Sequence, residues 1–299
     1  MSMQRSTLQQ FRPAMLAAVL SVSVFTLIAC RQEAPAAAEV AATAPATTEP
    51  AAAVEPAAAV APPAFLSSLS EGMAYASLRS AVTAAGWAPL RDPACWENVG
   101  GQASVCNVLP EVESCSGDGA CLMYFTDPKD GRRLRVTTYG PYERWNVPGE
   151  ESALAVRSWD LQPGQTADPA SAESCPSADF GVFLQRFASD DSVRKAHTAP
   201  LVKVAELFDS EDNGYSTRYV YQDGSTYSDF DVVRDGDAYY LRDGERGHFP
   251  AALELKIESP SDDQRLVRYG YGMSEGNSYL FERRDGCWIL AEDPEPPSP

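Results

Sequence analysis

Hydrophobic and polar positions divide this 299-residue chain into three regimes. Residues 14–29, AMLAAVLSVSVFTLIA, are continuously apolar and follow a short basic start, Arg5 and Arg12, that holds no acid. The run falls short of the roughly 20 residues of a membrane span and suits the core of an export signal. Residues 34–64 are almost wholly Ala, Pro, Thr, Val and Glu, with no aromatic residue and no glycine. Pro35, Pro45, Pro50, Pro56, Pro62 and Pro63 forbid a continuous helix there. Such a segment cannot bury enough apolar surface to fold. It reads as a tether, reaching about 30 Å as a coil and up to about 100 Å when stretched.

The third regime is periodic. Tyr75, Leu78, Val82 and Ala85 recur at helical spacing, Gly86 suits a left-handed stop, and Pro89 prevents resumption. Residues 121–125, 134–139 and 154–161 read as strands, with Asp130-Gly131 as a hairpin turn between the first two. After a Pro-, Gly- and Ala-rich joint at 163–172, Phe180, Phe183, Leu184 and Phe187 mark the buried face of a second helix. Ser177 or Asp179 can cap it, and Ser189-Asp190-Asp191 opens another. Period two then takes over at 215–222, 227–234, 238–242, 253–258, 265–271, 278–283 and 287–291. Asp-Gly pairs beginning at Asp223, Asp235, Asp243 and Asp285 punctuate these strands.

These patterns predict an α+β fold of two small domains, each a helical N-terminal part packed on an antiparallel sheet. The expected organisation is a signal peptide over 1–29, a modified cysteine and linker over 30–64, a disulfide-containing domain over 65–165, and a cone-shaped domain over 172–295.

Cysteine placement adds a compartment. Of seven cysteines, Cys30 sits at the seam between signal and tether. Cys95, Cys106, Cys115, Cys121, Cys175 and Cys287 form an even set, which in an exported protein reads as three disulfides. Fifteen pairings are formally open. Four cysteines lie close together and two lie far off, which favours Cys95–Cys106, Cys115–Cys121 and Cys175–Cys287. Zinc is the competing use, but no Cys-x2-Cys occurs, and His197 and His248 lie far from the cluster. No metal and no cofactor is expected. The formal net charge of −18 makes the chain a poor ligand for nucleic acid and for anionic lipid headgroups.

Leu27-Ile28-Ala29-Cys30 resembles the lipobox of bacterial lipoproteins. The resemblance implies cleavage before Cys30, acylation of its sulfur and new amino group, and anchorage in a bilayer at about 0.8 kcal/mol per buried CH2. Arg31, rather than aspartate, at the next position resembles the class sorted to the outer membrane, facing the periplasm. Gly72-Met73, Tyr75, Leu78-Arg79 and Gly86-Trp87 resemble the helical signature of small periplasmic modules, among them outer-membrane assembly lipoproteins. That implies a binding module without catalytic residues, although core packing accounts for Tyr75, Leu78 and Trp87 more simply. FGVFLQRFASDDSVRKAHTAPL and YLFERRDGCWILAEDPE resemble an uncharacterised lipoprotein family with a nuclear-transport-factor-2-like (NTF2-like) fold. That resemblance implies a pocket between helix and sheet, and no catalytic residue.

Four motifs bear on chemistry. Gly272-Met273-Ser274-Glu275-Gly276 matches G-x-S-x-G, yet a strand follows it and no histidine lies beyond His248. Asp209 to Gly214 resembles a calcium loop, but its twelfth position is Val220, which has no side-chain oxygen. His248 beside Glu245 or Asp243 is a candidate acid–base group in a pocket. Tyr239, Tyr240, Tyr269, Tyr271 and Tyr279 fit a pocket lining or a partner-binding face, and sheet packing explains them more simply. The resulting expectation is a non-catalytic envelope module that binds a protein partner. The alternative is a small-molecule binder or acid–base enzyme using the second domain's pocket.

Overall fold

Helix α1 (Tyr75–Ala84) forms at the predicted spacing and buries Tyr75, Leu78 and Val82. Gly86 stops it at φ +84°, where a side chain would be strained. The structure, a computed structural model, describes residues 61–296 apart from 102, 148, 165–174, 211–213 and 273–274. The expected signal peptide, Cys30 and nearly all of the expected tether lie outside the described residues.

After α1 come β1 (Ala88–Arg91), the short helices α2 (Cys95–Asn98) and α3 (Val105–Val108), and then β2 (Val112–Cys115), β3 (Ala120–Thr126), β4 (Arg133–Tyr139) and β5 (Ala155–Gln162). Met123, Phe125, Leu134, Val136, Leu154 and Val156 alternate inward and meet the buried face of α1. The Cys95–Cys106 bond ties α2 to α3, and Cys115–Cys121 ties β2 to β3.

The second half opens with α4 (Phe180–Ser189) and α5 (Asp191–Ala196). Asp179 Oδ1 accepts the Val182 N–H at 2.9 Å, and Asp190 Oδ1 accepts the Ser192 N–H at 2.9 Å, so both helices begin on aspartate caps. Strands β6 (Thr198–Ser210), β7 (Gly214–Asp223), β8 (Val232–Asp235), β9 (Ala238–Asp243), β10 (Gly247–Leu253), β11 (Leu255–Ser261), β12 (Gln264–Tyr271), β13 (Glu275–Arg284) and β14 (Cys287–Asp293) follow. Phe180, Phe183 and Phe187 pack edge-on against Phe281, at centroid separations of 5.4, 6.0 and 5.1 Å. The Cys175–Cys287 bond fastens the segment before α4 to β14.

The expected fold class is corrected here. Among the described residues the fold is mostly β, with strands at 47% and helix at 19%, and the two halves are not separate helix-on-sheet domains. One mixed eleven-stranded sheet runs β11-β12-β13-β14-β6-β7-β1-β3-β4-β5, with β2 also on β3; β10-β9-β8 form a second sheet. Two parallel pairs, β1–β7 and β14–β6, sit among antiparallel neighbours. The physical reason for the merger is β1. Ala88 and Pro89 pair with Thr126 and Phe125 of β3, whereas Leu90 and Arg91 pair with Tyr221 and Gln222 of β7. Arg133 meets Asp223 at 2.5 Å, and Arg91 and Arg218 both reach Glu206, at 3.2 and 2.5 Å, adding polar links across that joint.

Asp235-Gly236, Asp243-Gly244 and Asp285-Gly286 do turn hairpins, joining β8–β9, β9–β10 and β13–β14. Asp223-Gly224 does not. Its glycine approaches Ala199 so closely that an added Cβ would lie 1.9 Å from the carbonyl oxygen, and the chain then crosses to the second sheet.

Candidate functional site

His248 stands on β10, in the small sheet, opposite Arg242 in the β9–β10 hairpin. Its Nδ1 is 2.8 Å from the Phe249 carbonyl oxygen, its Nε2 is 3.3 Å from Asp235 Oδ2, and its ring stacks on Tyr240 at 4.2 Å. The bond to the Phe249 carbonyl, followed by that to Asp235, raises its pKa. Neither predicted carboxylate is its hydrogen-bond partner: Asp243 accepts the Glu245 N–H at 2.9 Å and so shapes the turn, and Glu245 is exposed. His248 is thus hydrogen-bonded to Asp235 rather than to the predicted Glu245 or Asp243.

The six cysteines form the three bonds that chain separation favoured. His197 is buried, with Phe183 edge-on at 5.6 Å and Cys287 Sγ at 3.5 Å from Nδ1. Among the described residues, no group of three or more His, Cys, Asp or Glu side chains is placed to hold a metal. Met273 and Ser274 of the G-x-S-x-G motif and residues 211–213 of the calcium-like loop lie outside the described residues. Gly272, at φ +66°, belongs to the connection between β12 and β13.

The tyrosines divide. Tyr269 and Tyr279 are buried, Tyr239 and Tyr271 pack against the same core, and Tyr240 covers His248. Two arrangements escaped sequence reasoning. The first is a group of polar side chains inside the second core. Asp293, 4% exposed, accepts the Tyr227 hydroxyl at 3.1 Å and an Asn277 N–H at 3.5 Å, both on Oδ2. Its Oδ1 is buried without a hydrogen-bond partner. Burial, aided by Asp229 and Asp231, raises the pKa of Asp293 to about 7; burial and Asp229 raise that of Asp231 to about 6. Tyr279 donates to the Asp229 carbonyl at 2.9 Å and accepts the Asp231 N–H at 3.0 Å, which fixes the crossing segment above the core.

The second arrangement lies on the β6–β7 hairpin. Strand alternation buries Val202, Val204 and Val220 on one face. The opposite face carries Tyr215, Tyr219 and Tyr221, with Tyr215 and Tyr219 exposed at 69% and 52%. Lys203 reaches over the Tyr219 ring at 4.6 Å. The spacing in YSTRYVY signals this face, since residues 215, 219 and 221 differ by even numbers.

Comparison with solved structures finds similarity to the crystal structure of an NTF2-like protein from Bacteroides fragilis. The identity is 14% and the TM-score 0.26, over 55% of this chain and 59% of that one. The chain thus spans under two thirds of that protein's length, and a likeness this loose carries no argument about fold or role. No family model matches the chain, and no curated protein matches it. No helix among the described residues is long and apolar enough to cross a membrane.

Proposed function

We propose that the chain is a lipoprotein of the bacterial envelope, acylated at Cys30, held at the outer membrane facing the periplasm, and that it binds another envelope protein without catalysing a reaction. The observation that carries the binding role is the exposure of Tyr215 and Tyr219 on one face of a long hairpin. Tyrosine presents a large, stiff, amphipathic surface and is enriched where proteins meet. The lipobox-like residues and the proline-rich tether support the anchor. Crosslinking in intact cells, followed by affinity capture and mass spectrometry, tests the role: the double variant Tyr215→Ala/Tyr219→Ala loses a partner that the parent retains, at unchanged melting temperature. Recovery of the same partners from both would overturn the reading. Labelling with a palmitate analogue tests the anchor, and equal label in the parent and Cys30→Ala would end it.

A second reading, a small-molecule binder or acid–base enzyme, is favoured by Asp293 alone. A carboxyl near pKa 7 is matched to proton transfer at neutral pH. It predicts that the Asp293 carboxyl resonance titrates near neutrality and shifts when a ligand is bound; titration in the ordinary carboxylate range would dismiss it.

A further inference from the structure

A cavity of about 240 Å³ opens between α5 and the chain crossing from β7 to β8. It is smaller than the roughly 300–1,000 Å³ of pockets that hold drug-sized molecules, so it suits a small guest. Arg194, Lys195 and Arg242 line it, together with Asp191, Tyr227 and Ser228. Three cations around one cavity run against the composition of a chain with 42 acids and 24 bases.

The two arginines are held differently. Arg194 is mostly buried: it donates to the Phe187 carbonyl at 3.1 Å, pairs with Asp191, and lies over the Phe230 ring at 5.8 Å. Those contacts fix the guanidinium and leave several of its five N–H groups unused. The Arg242 side chain makes no hydrogen bond or ion pair among the described residues. Its main chain is anchored instead, through the N–H donated to the Asp231 carbonyl at 2.7 Å. Burial lowers the Arg194 pKa, and the charge of Arg242 lowers it further, against the pull of Asp191. Two guanidinium groups are thus held within each other's repulsive field. The acids nearest them offset this only in part: Asp191 is largely exposed, and Asp231, raised to about 6 by burial, carries its charge at neutral pH toward Arg242 without forming an ion pair with it. An oxyanion between them would turn that repulsion into charge-assisted hydrogen bonds, for which guanidinium is the best-shaped donor.

We propose that this cavity binds a small soluble oxyanion, a carboxylate or a phosphate, gripped jointly by Arg194 and Arg242 with Lys195 at the rim. The site is distinct from the tyrosine face and stands or falls separately from it.

Isothermal titration of the full chain in detergent, at neutral pH and low salt, tests it with inorganic phosphate and benzoate as probes and with phosphatidylglycerol vesicles as a third arm. The expected result is saturable binding of phosphate or benzoate at one site per chain. Arg242→Gln should weaken it roughly tenfold or more. Arg246→Gln, an equal charge change on an exposed turn, should leave it unchanged. Arg242→Gln is the decisive variant because its side chain makes no hydrogen bond or ion pair among the described residues, and its melting temperature is measured alongside; Arg194→Gln removes the tie to Phe187 and is secondary. Absence of saturable binding, equal affinity in the parent and Arg242→Gln, or association with vesicles alone would each overturn the proposal.

Discussion

Glu111 in the first half and Asp293 in the second are both carboxylates inside a core, and their surroundings treat them in opposite ways. Glu111 is fully buried and fully partnered. Its Oε1 accepts the Tyr75 hydroxyl at 2.6 Å and the Arg79 Nε–H at 2.5 Å, and its Oε2 faces another Arg79 N–H at 3.4 Å. Trp145 in turn covers the Arg79 guanidinium at 5.3 Å. Asp293 has only neutral donors, and one of its oxygens has none. A paired charge stays a charge, whereas an unpaired one is relieved by taking up a proton. The second core therefore holds a carboxyl that titrates close to neutrality.

The sharpest ways to break that comparison are mutational. The cross-links come first, because they also differ between the halves. Cys175–Cys287 spans 112 residues and Cys115–Cys121 spans 6. On chain entropy, removing the first pair as a double serine variant costs about 5 kcal/mol and removing the second about 2 kcal/mol, measured by urea unfolding. Equal losses would show that entropy is not what separates them. Next, Glu111→Ala strands Arg79 and should cost about 3 kcal/mol, the lower end for a broken buried pair because Arg79 keeps some solvent contact. Replacing Glu111 and Arg79 by methionine and Tyr75 by phenylalanine, so that no buried polar partner is left unpaired, should recover most of it.

Asp293→Asn should do the reverse. The folded pKa of Asp293, about 7, lies above its unfolded value near 4, so folding tightens its hold on a proton. Its contribution to stability is greatest below about pH 4, declines as the pH rises toward 7, and is level beyond. Asparagine removes that decline. The variant should gain on the order of 2 kcal/mol over the parent at pH 8 and little at pH 4, read from unfolding curves at the two pH values. The smallest effect belongs to His248→Gln. The raised pKa of His248 means its contribution is present below about pH 6.5 and lost as the pH rises through the folded value, so parent and variant should converge at alkaline pH.

Much of the local structure was legible because it is locally encoded. The α1 and α4 faces, the caps at Asp179 and Asp190, and strands β3, β4, β9 and β12 follow from side-chain period and turn residues alone. Strand β1 was hidden by Pro89, which argues against a central strand, and β6 and β10 by Pro200 and Pro250. The merging of the two halves could not be read, since pairing of Leu90 with Tyr221 leaves no periodic trace at either end. Asp293 was missed for a related reason: AEDPEPP reads as a solvated tail, yet its aspartate is carried inward by β14. Arg194 and Arg242 lie on separate elements, and only the fold brings them to one cavity.

The four residues of β1 have a further consequence for how the chain comes into being. Synthesis delivers the N-terminal side first, so β1 meets β3 early and waits for β7 until much of the rest has been made. Meanwhile one flank of β1 is a bare row of amides and carbonyls, an invitation to a stray strand from a neighbouring nascent chain. Brevity and a proline, which has no amide hydrogen to offer, leave such an intruder little to hold. The shortest joint in the finished sheet is thus also its safeguard while unfinished.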